Sequence, residues 1–161
     1  LSADKFKPHV FVLPEDDANK ELANGFLLRV DQTRGRQMDV LRVARGRDKV
    51  LERFKLDHVT DMVNYPKRFM VLLMDFDGRK DLLESARTSI PENLLNRVFV
   101  LGVLTEPEAL KAALGRTYEE IGLAMADDCR DGTDTTWGHD LLRHNASELE
   151  RLRKHVCSIL F

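Results

Sequence analysis

Apolar positions along this chain fall into two alternating rhythms. The unbroken runs HVFVL (9–13), RFMVLLM (68–74) and RVFVLGVL (97–104) have the length and continuity of strands covered on both faces. MDVLRVA (38–44) alternates instead, the pattern of a strand with one wetter face. Between these runs the period changes to that of a helix. Leu22, Phe26, Leu27 and Val30 recur at helical spacing after Asp16 and Asp17, either of which can cap a first turn. GRDKVLERFKL (46–56) places Val50, Leu51 and Phe54 inward, and a further helix is expected over 79–88.

EPEALKAAL (106–114) has Pro107 where its missing N–H costs nothing and Gly115 as a stop. TYEEIGLAMA (117–126) is a shorter helix. Asn145 and Glu148 are spaced like a capping pair before a stripe of Leu149, Leu152, Val156, Ile159 and Leu160. Parallel strands need crossovers, so strands alternating with helices predict an α/β fold. The expectation is a mainly parallel four-stranded sheet with helices on both faces, Rossmann-like, plus a C-terminal helical extension. All 161 residues form a single domain in this reading, 9–114 as the α/β core and 115–161 as the extension.

Three strands finish in carboxylates. Glu15, Asp16 and Asp17 follow the first; Asp75 and Asp77 follow the third; Glu106 and Glu108 follow the fourth. In open parallel sheets ligands gather at the carboxyl ends of the strands. Two bare carboxylates 4 Å apart repel by about 4 kcal/mol at an effective dielectric of about 20. A shared proton or a hard cation relieves that, and Mg2+ suits a site of few carboxylates and several waters. Continued as a strand, Asp75-x-Asp77 would send both side chains to one face. The plainer alternative makes these acids helix caps and solvated turn residues.

A glutamate after the first strand, then an apolar strand ending Asp75-Phe76-Asp77-Gly78, resembles the Toprim fold. That is the magnesium-binding catalytic domain of topoisomerases, bacterial primases and OLD-type nucleases, and the likeness covers about residues 9–114. The resemblance implies that Glu15 serves acid–base or metal chemistry, that Asp75 and Asp77 coordinate Mg2+ or Mn2+, and that Asp17, Glu106 and Glu108 are accessory acids. It further implies a nuclease-like enzyme acting on nucleic acid. Asp16 stands where that family has glycine, which favours a noncatalytic binding or interaction component of a defence or repair assembly as the alternative. DFDG also resembles the first motif of haloacid-dehalogenase-like phosphatases, with Arg79 in place of the usual threonine. VLPEDD is similar to the acid pocket of response-regulator receivers, without a lysine after the last strand.

Composition bounds the partners. The net charge of −2 argues against polyanion binding by the whole surface, yet residues 29–55 hold nine basic side chains against four acidic ones. The nine (Arg29, Arg34, Arg36, Arg42, Arg45, Arg47, Lys49, Arg53 and Lys55) read either as a solvated face laced with ion pairs or as a patch that steers a phosphodiester backbone, with Arg45, Arg47 and Lys49 as the candidate phosphate contacts. Cys129 and Cys157 match neither a disulfide framework nor a zinc spacing, so two reduced thiols in a cytoplasmic protein are expected. No run approaches a membrane span and no signal-peptide pattern is present. The chain opens on Leu1 rather than Met, so a missing or processed N-terminus is expected. A protein partner or homo-oligomer is compatible with this pattern. Trp137 is expected as a packing anchor, and His139 and His144 as polar caps near helix starts or parts of a loop beside the site.

Overall fold

The computed structural model describes residues 3–31, 33 and 37–161. Arg34 and Arg36, and most of the loop expected at 33–37, lie outside them. Strands β1 (His9–Pro14), β2 (Met38–Val40), β3 (Arg68–Leu73) and β4 (Val98–Leu101) form one sheet of order β2-β1-β3-β4, parallel throughout. The α/β expectation therefore holds. β2 is shorter than its alternating pattern predicts, its paired register covering Met38–Val40, although the Leu41 and Ala44 amides still donate to the Val12 and Pro14 carbonyls.

Alternate strand residues feed two cores, as the two-residue period of a strand requires. Val10, Val12, Val71, Phe99 and Leu101 face helices α1 (Asp17–Leu27) and α6 (Tyr118–Asp131), and the C-terminal helix. That helix runs from α7 (Ala146–Leu152) through a π turn (Arg153–Cys157) into α8 (Ser158–Leu160). Leu13, Met70, Leu72, Val98 and Val100 face α2 (Arg47–Arg53), α3 (Val59–Asn64) and α4 (Lys80–Thr88). A π turn at Phe54–His58 joins α2 to α3, so the helix continues beyond the predicted stop at 56. Its extra residue re-phases the apolar stripe: Val50, Phe54 and Met62 are buried while Leu56 is left exposed. Helix α5 (Pro107–Leu114) carries Pro107 in its first turn and ends on a left-handed Gly115, as predicted. Helix α6 extends five residues past its predicted end, behind a complete Thr117–Glu120 capping box.

Asn145 and Glu148 are not a capping pair. Both reach across to the outer edge of β4 and its continuation. Glu148 Oε2 accepts from the Val100 amide at 2.8 Å. Asn145 takes the Gly102 amide at 3.1 Å and donates to the Gly102 carbonyl at 2.9 Å. Side chains thus stand in for a fifth strand and satisfy an edge otherwise open to pairing with another chain. Arg151 holds the Glu148 carboxylate at 2.8 Å, which compensates its burial.

The thiols differ from expectation as well. Cys129, in the last turns of α6, and Cys157, in the C-terminal π turn, are joined as a disulfide, with Cα atoms 6.0 Å apart. Their 28-residue separation gives no pattern, because the pairing depends on how two distant helices meet.

Two variants test these clamps. Asn145→Ala strands both polar groups of Gly102 and is expected to cost about 2–4 kcal/mol in urea unfolding. The exposed Asn93→Ala should cost under about 0.5 kcal/mol. Reduction, or Cys129→Ser with Cys157→Ser, should cost roughly 3–4 kcal/mol by loop-closure entropy, read as a lowered Tm; an unchanged Tm would mean that the bond constrains nothing.

Candidate functional site at the sheet switch point

The connection after β1 leads to β2 on one side, and the connection after its neighbour β3 leads to β4 on the other. A crevice opens outside the carboxyl ends of two such strands, and ligands of open α/β sheets bind there. Glu15 follows β1 and Asp75 follows β3, so the two flank that point.

The pairing of Pro14 with Leu73 continues one step further, the Glu15 amide donating to the Leu73 carbonyl at 2.9 Å. The Glu15 side chain then folds back, and its Oε2 accepts from the Asp75 amide at 2.7 Å. Asp75 is buried, 8% exposed, and its Oδ1 accepts from Asn19 Nδ2 at 3.0 Å. The same Nδ2 reaches Asp16 Oδ1 at 3.0 Å, and Asp16 Oδ1 caps α1 by accepting from the Asn19 amide at 2.9 Å. Asp16 thus fills a structural role as the cap of α1.

Asp77 does not continue the strand. β3 ends at Leu73, and Asp77 (φ +50°) and Gly78 (φ +75°) turn in the left-handed region. Their amides hang on the carbonyls of Thr105 and Leu104 at 3.2 and 2.7 Å. The expected shared face of Asp75 and Asp77 is therefore absent: one is buried, the other exposed. Arg47 bridges them instead, its Nη1 donating to Asp77 Oδ2 at 2.8 Å and to the Asp75 carbonyl at 3.4 Å. Arg47 is placed by Glu15, whose carbonyl accepts from the Arg45 and Gly46 amides at 2.7 and 3.3 Å just before α2 begins.

The remaining predicted residues disperse. Asp17 lies exposed in the first turn of α1; Glu106 is the N-cap of α5 without a side-chain cap bond; Glu108 is exposed in its first turn. Arg45 is exposed beside the crevice, whereas Lys49 is paired with Glu52 at 3.2 Å on α2. Arg29 pairs with Asp127, and Arg53 donates to the Val43 carbonyl. Trp137 is buried as expected, its indole donating to the Met125 carbonyl. His139 Nδ1 accepts from the Leu141 amide. His144 packs edge-on against Phe76, its ring centroid 5.4 Å away, and burial holds its pKa below the ordinary value.

Asn19 was not foreseen. The sequence signal exists, since Asn19 lies three residues before Leu22 and seven before Phe26, on the buried face of α1. It is fully buried, and its Oδ1 has no hydrogen-bond partner.

Electrostatics follow from this packing. Burial pushes the Asp75 carboxyl up to about 7; the Asn19 hydrogen bond opposes that, and the charges of Glu15, Asp16 and Glu108 add to it. Burial also raises Glu15, opposed by the Asp75 amide and Arg47 and aided by Asp16 and Asp77. A carboxyl near neutrality can accept or release a proton at physiological pH.

The donor set is all oxygen, the chemistry a hard cation selects, and the unpaired Asn19 Oδ1 adds a neutral acceptor beside Asp75. No group of three Asp, Glu, His or Cys side chains placed to hold a metal ion is present among the described residues. Mg2+ needs fewer, commonly one or two carboxylates completed by water. Among the described residues no helix is long and apolar enough to cross a membrane. No protein-family model, curated protein or solved structure matches this chain.

Asp75 makes stability depend on pH with a definite sign. Its folded pKa lies above the unfolded value, so its contribution is present below about pH 4 and lost as pH rises through about 7. Asp75→Asn should remove that slope and stabilise the protein at pH 8 by up to roughly 4 kcal/mol, with little gain at pH 4. Parallel curves for both proteins in urea between pH 4 and 8 would contradict the burial account.

Proposed function

We propose that this chain is a Mg2+- or Mn2+-dependent, Toprim-like protein that cleaves phosphodiester bonds in nucleic acid at the switch-point crevice. The observation that carries this reading is a buried carboxyl, Asp75, held near neutrality beside Glu15, Asp16 and Glu108 at the sheet edge where ligands collect. A proton held by such a cluster is readily displaced by a divalent ion.

Asp75 would hold the ion with Glu15 beside it, and Asp77 would join them once released from Arg47, while Asp17, Glu106 and Glu108 stay at the starts of α1 and α5 outside that direct set. When bound, a divalent ion supplies charge neutralisation at the phosphate and a more acidic water. Glu15, its pKa raised by burial, takes a proton from the attacking water. Arg47, already between Asp75 and Asp77, neutralises a phosphate oxygen as it leaves Asp77, and Arg45 supports the neighbouring phosphate.

A specific observation favours the noncatalytic alternative. Glu15 is committed to the Asp75 amide and Asp77 to Arg47, so both acids have protein partners as they stand. In that reading the same edge recognises a partner without turnover. The phosphatase reading is weaker, because Arg79, in the threonine position, is exposed and spent on Asp81.

Calorimetry with Mg2+ and Mn2+, followed by nicking assays on DNA and RNA, separates the readings. Binding with proton release near pH 7, lost in Asp75→Asn, is expected. Cleavage should fall about 10²–10⁴-fold in Glu15→Gln. Binding without cleavage of any nucleic acid would favour the noncatalytic component, and no binding at all would remove the metal site.

A further inference from the structure

An apolar cavity of about 70 Å³ lies between the sheet and the α1, α6 and C-terminal helices. Val10 and Val71 from the sheet, Phe26 from α1, Met125 from α6 and Val156 from the C-terminal π turn line it, and almost no polar atom faces it. Core side chains ordinarily fill such space, because a void forfeits dispersion contacts along its whole lining.

Three clamps keep this one from closing. Helices α1 and α6 meet backbone to backbone: a Cβ at Gly25 would sit 2.1 Å from the Glu119 carbonyl oxygen, and one at Gly122 would sit 2.0 Å from that of Leu22. The two helices therefore move as one body. The C-terminal helix is fixed to the β4 edge through Asn145 and Glu148, and to α6 through the Cys129–Cys157 disulfide. The walls are thus held apart by a disulfide, by backbone contacts and by side-chain-to-backbone hydrogen bonds, several of them made by lining residues such as Leu22, Gly102 and Cys157, and the cavity persists.

We propose that the cavity is a binding site for a very small, uncharged, wholly apolar guest, of the class represented by xenon. Water is a poor occupant, because it needs two to four polar partners and the wall offers almost none. Such a guest recovers the missing dispersion contacts and leaves no donor or acceptor unpaired. The site lies beneath α1 rather than at the acidic strand ends, so it does not depend on the phosphodiester reading.

The oxidised full chain under xenon pressure tests this through methyl NMR. Saturable shifts confined to the methyls of Val10, Val71, Met125 and Val156 are expected. Val156→Phe and, in case that variant does not fold, Ala23→Leu at another lining position fill the space and should abolish the xenon shifts while the spectrum stays that of a folded protein. Unshifted lining methyls at the highest xenon pressure, shifts confined to the exposed Leu56 and Val63, or undiminished binding in a folded filled variant would each overturn the proposal.

Discussion

Parallel pairing of β1 with β3, in the register that sets Pro14 beside Leu73, joins residues some sixty positions apart and governs the rest of the molecule. It forces β2 and β4 to opposite edges and so creates the point where the strand order reverses. The pairing also carries Glu15 and Asp75 to that point, and the carboxylate of one meets the amide of the other. A one-residue slip would turn every strand side chain to the opposite core. Both faces of each strand are buried, so such a slip would have to repack both cores.

Around this pairing the molecule satisfies its polar groups with side chains where the ladder ends. Asn145 and Glu148 complete β4, Asn19 ties Asp16 to Asp75, and Arg47 ties the Asp75 carbonyl to Asp77. The two cases differ in consequence. At β4 a carboxylate and an amide find donors and acceptors enough, and the result is a closed edge. At the switch point the acids outnumber the cations, and the imbalance is held as a raised pKa on the most buried of them.

The fold was largely legible because its strands are buried on both faces, which leaves unbroken apolar runs that no surface helix shows. The strand-end acids were legible for the same reason, since each run stops abruptly at a carboxylate. What failed were readings in which one spacing serves two geometries. Asn145 and Glu148, three apart, suit a capping box or a reach to a neighbouring strand equally, and tertiary packing chose the second. Asp75-x-Asp77 implies one face only if the strand continues, and the left-handed turn at Asp77 ends it. The half-cystines carry no local pattern, and Asn19 passes for an ordinary helix residue until its neighbours across the sheet are known.

The proposed function rests on a carboxyl at the switch-point crevice that is poised near neutrality and ready to exchange its proton for a cation. Its sharpest test is the 13C titration of the Asp75 side-chain carboxyl by NMR, assigned through Asp75→Asn, with and without Mg2+. A midpoint near 7 is expected in the metal-free protein, with a fall of at least about one unit when Mg2+ is added. A midpoint in the ordinary carboxylate range near 4, unmoved by Mg2+, would contradict it.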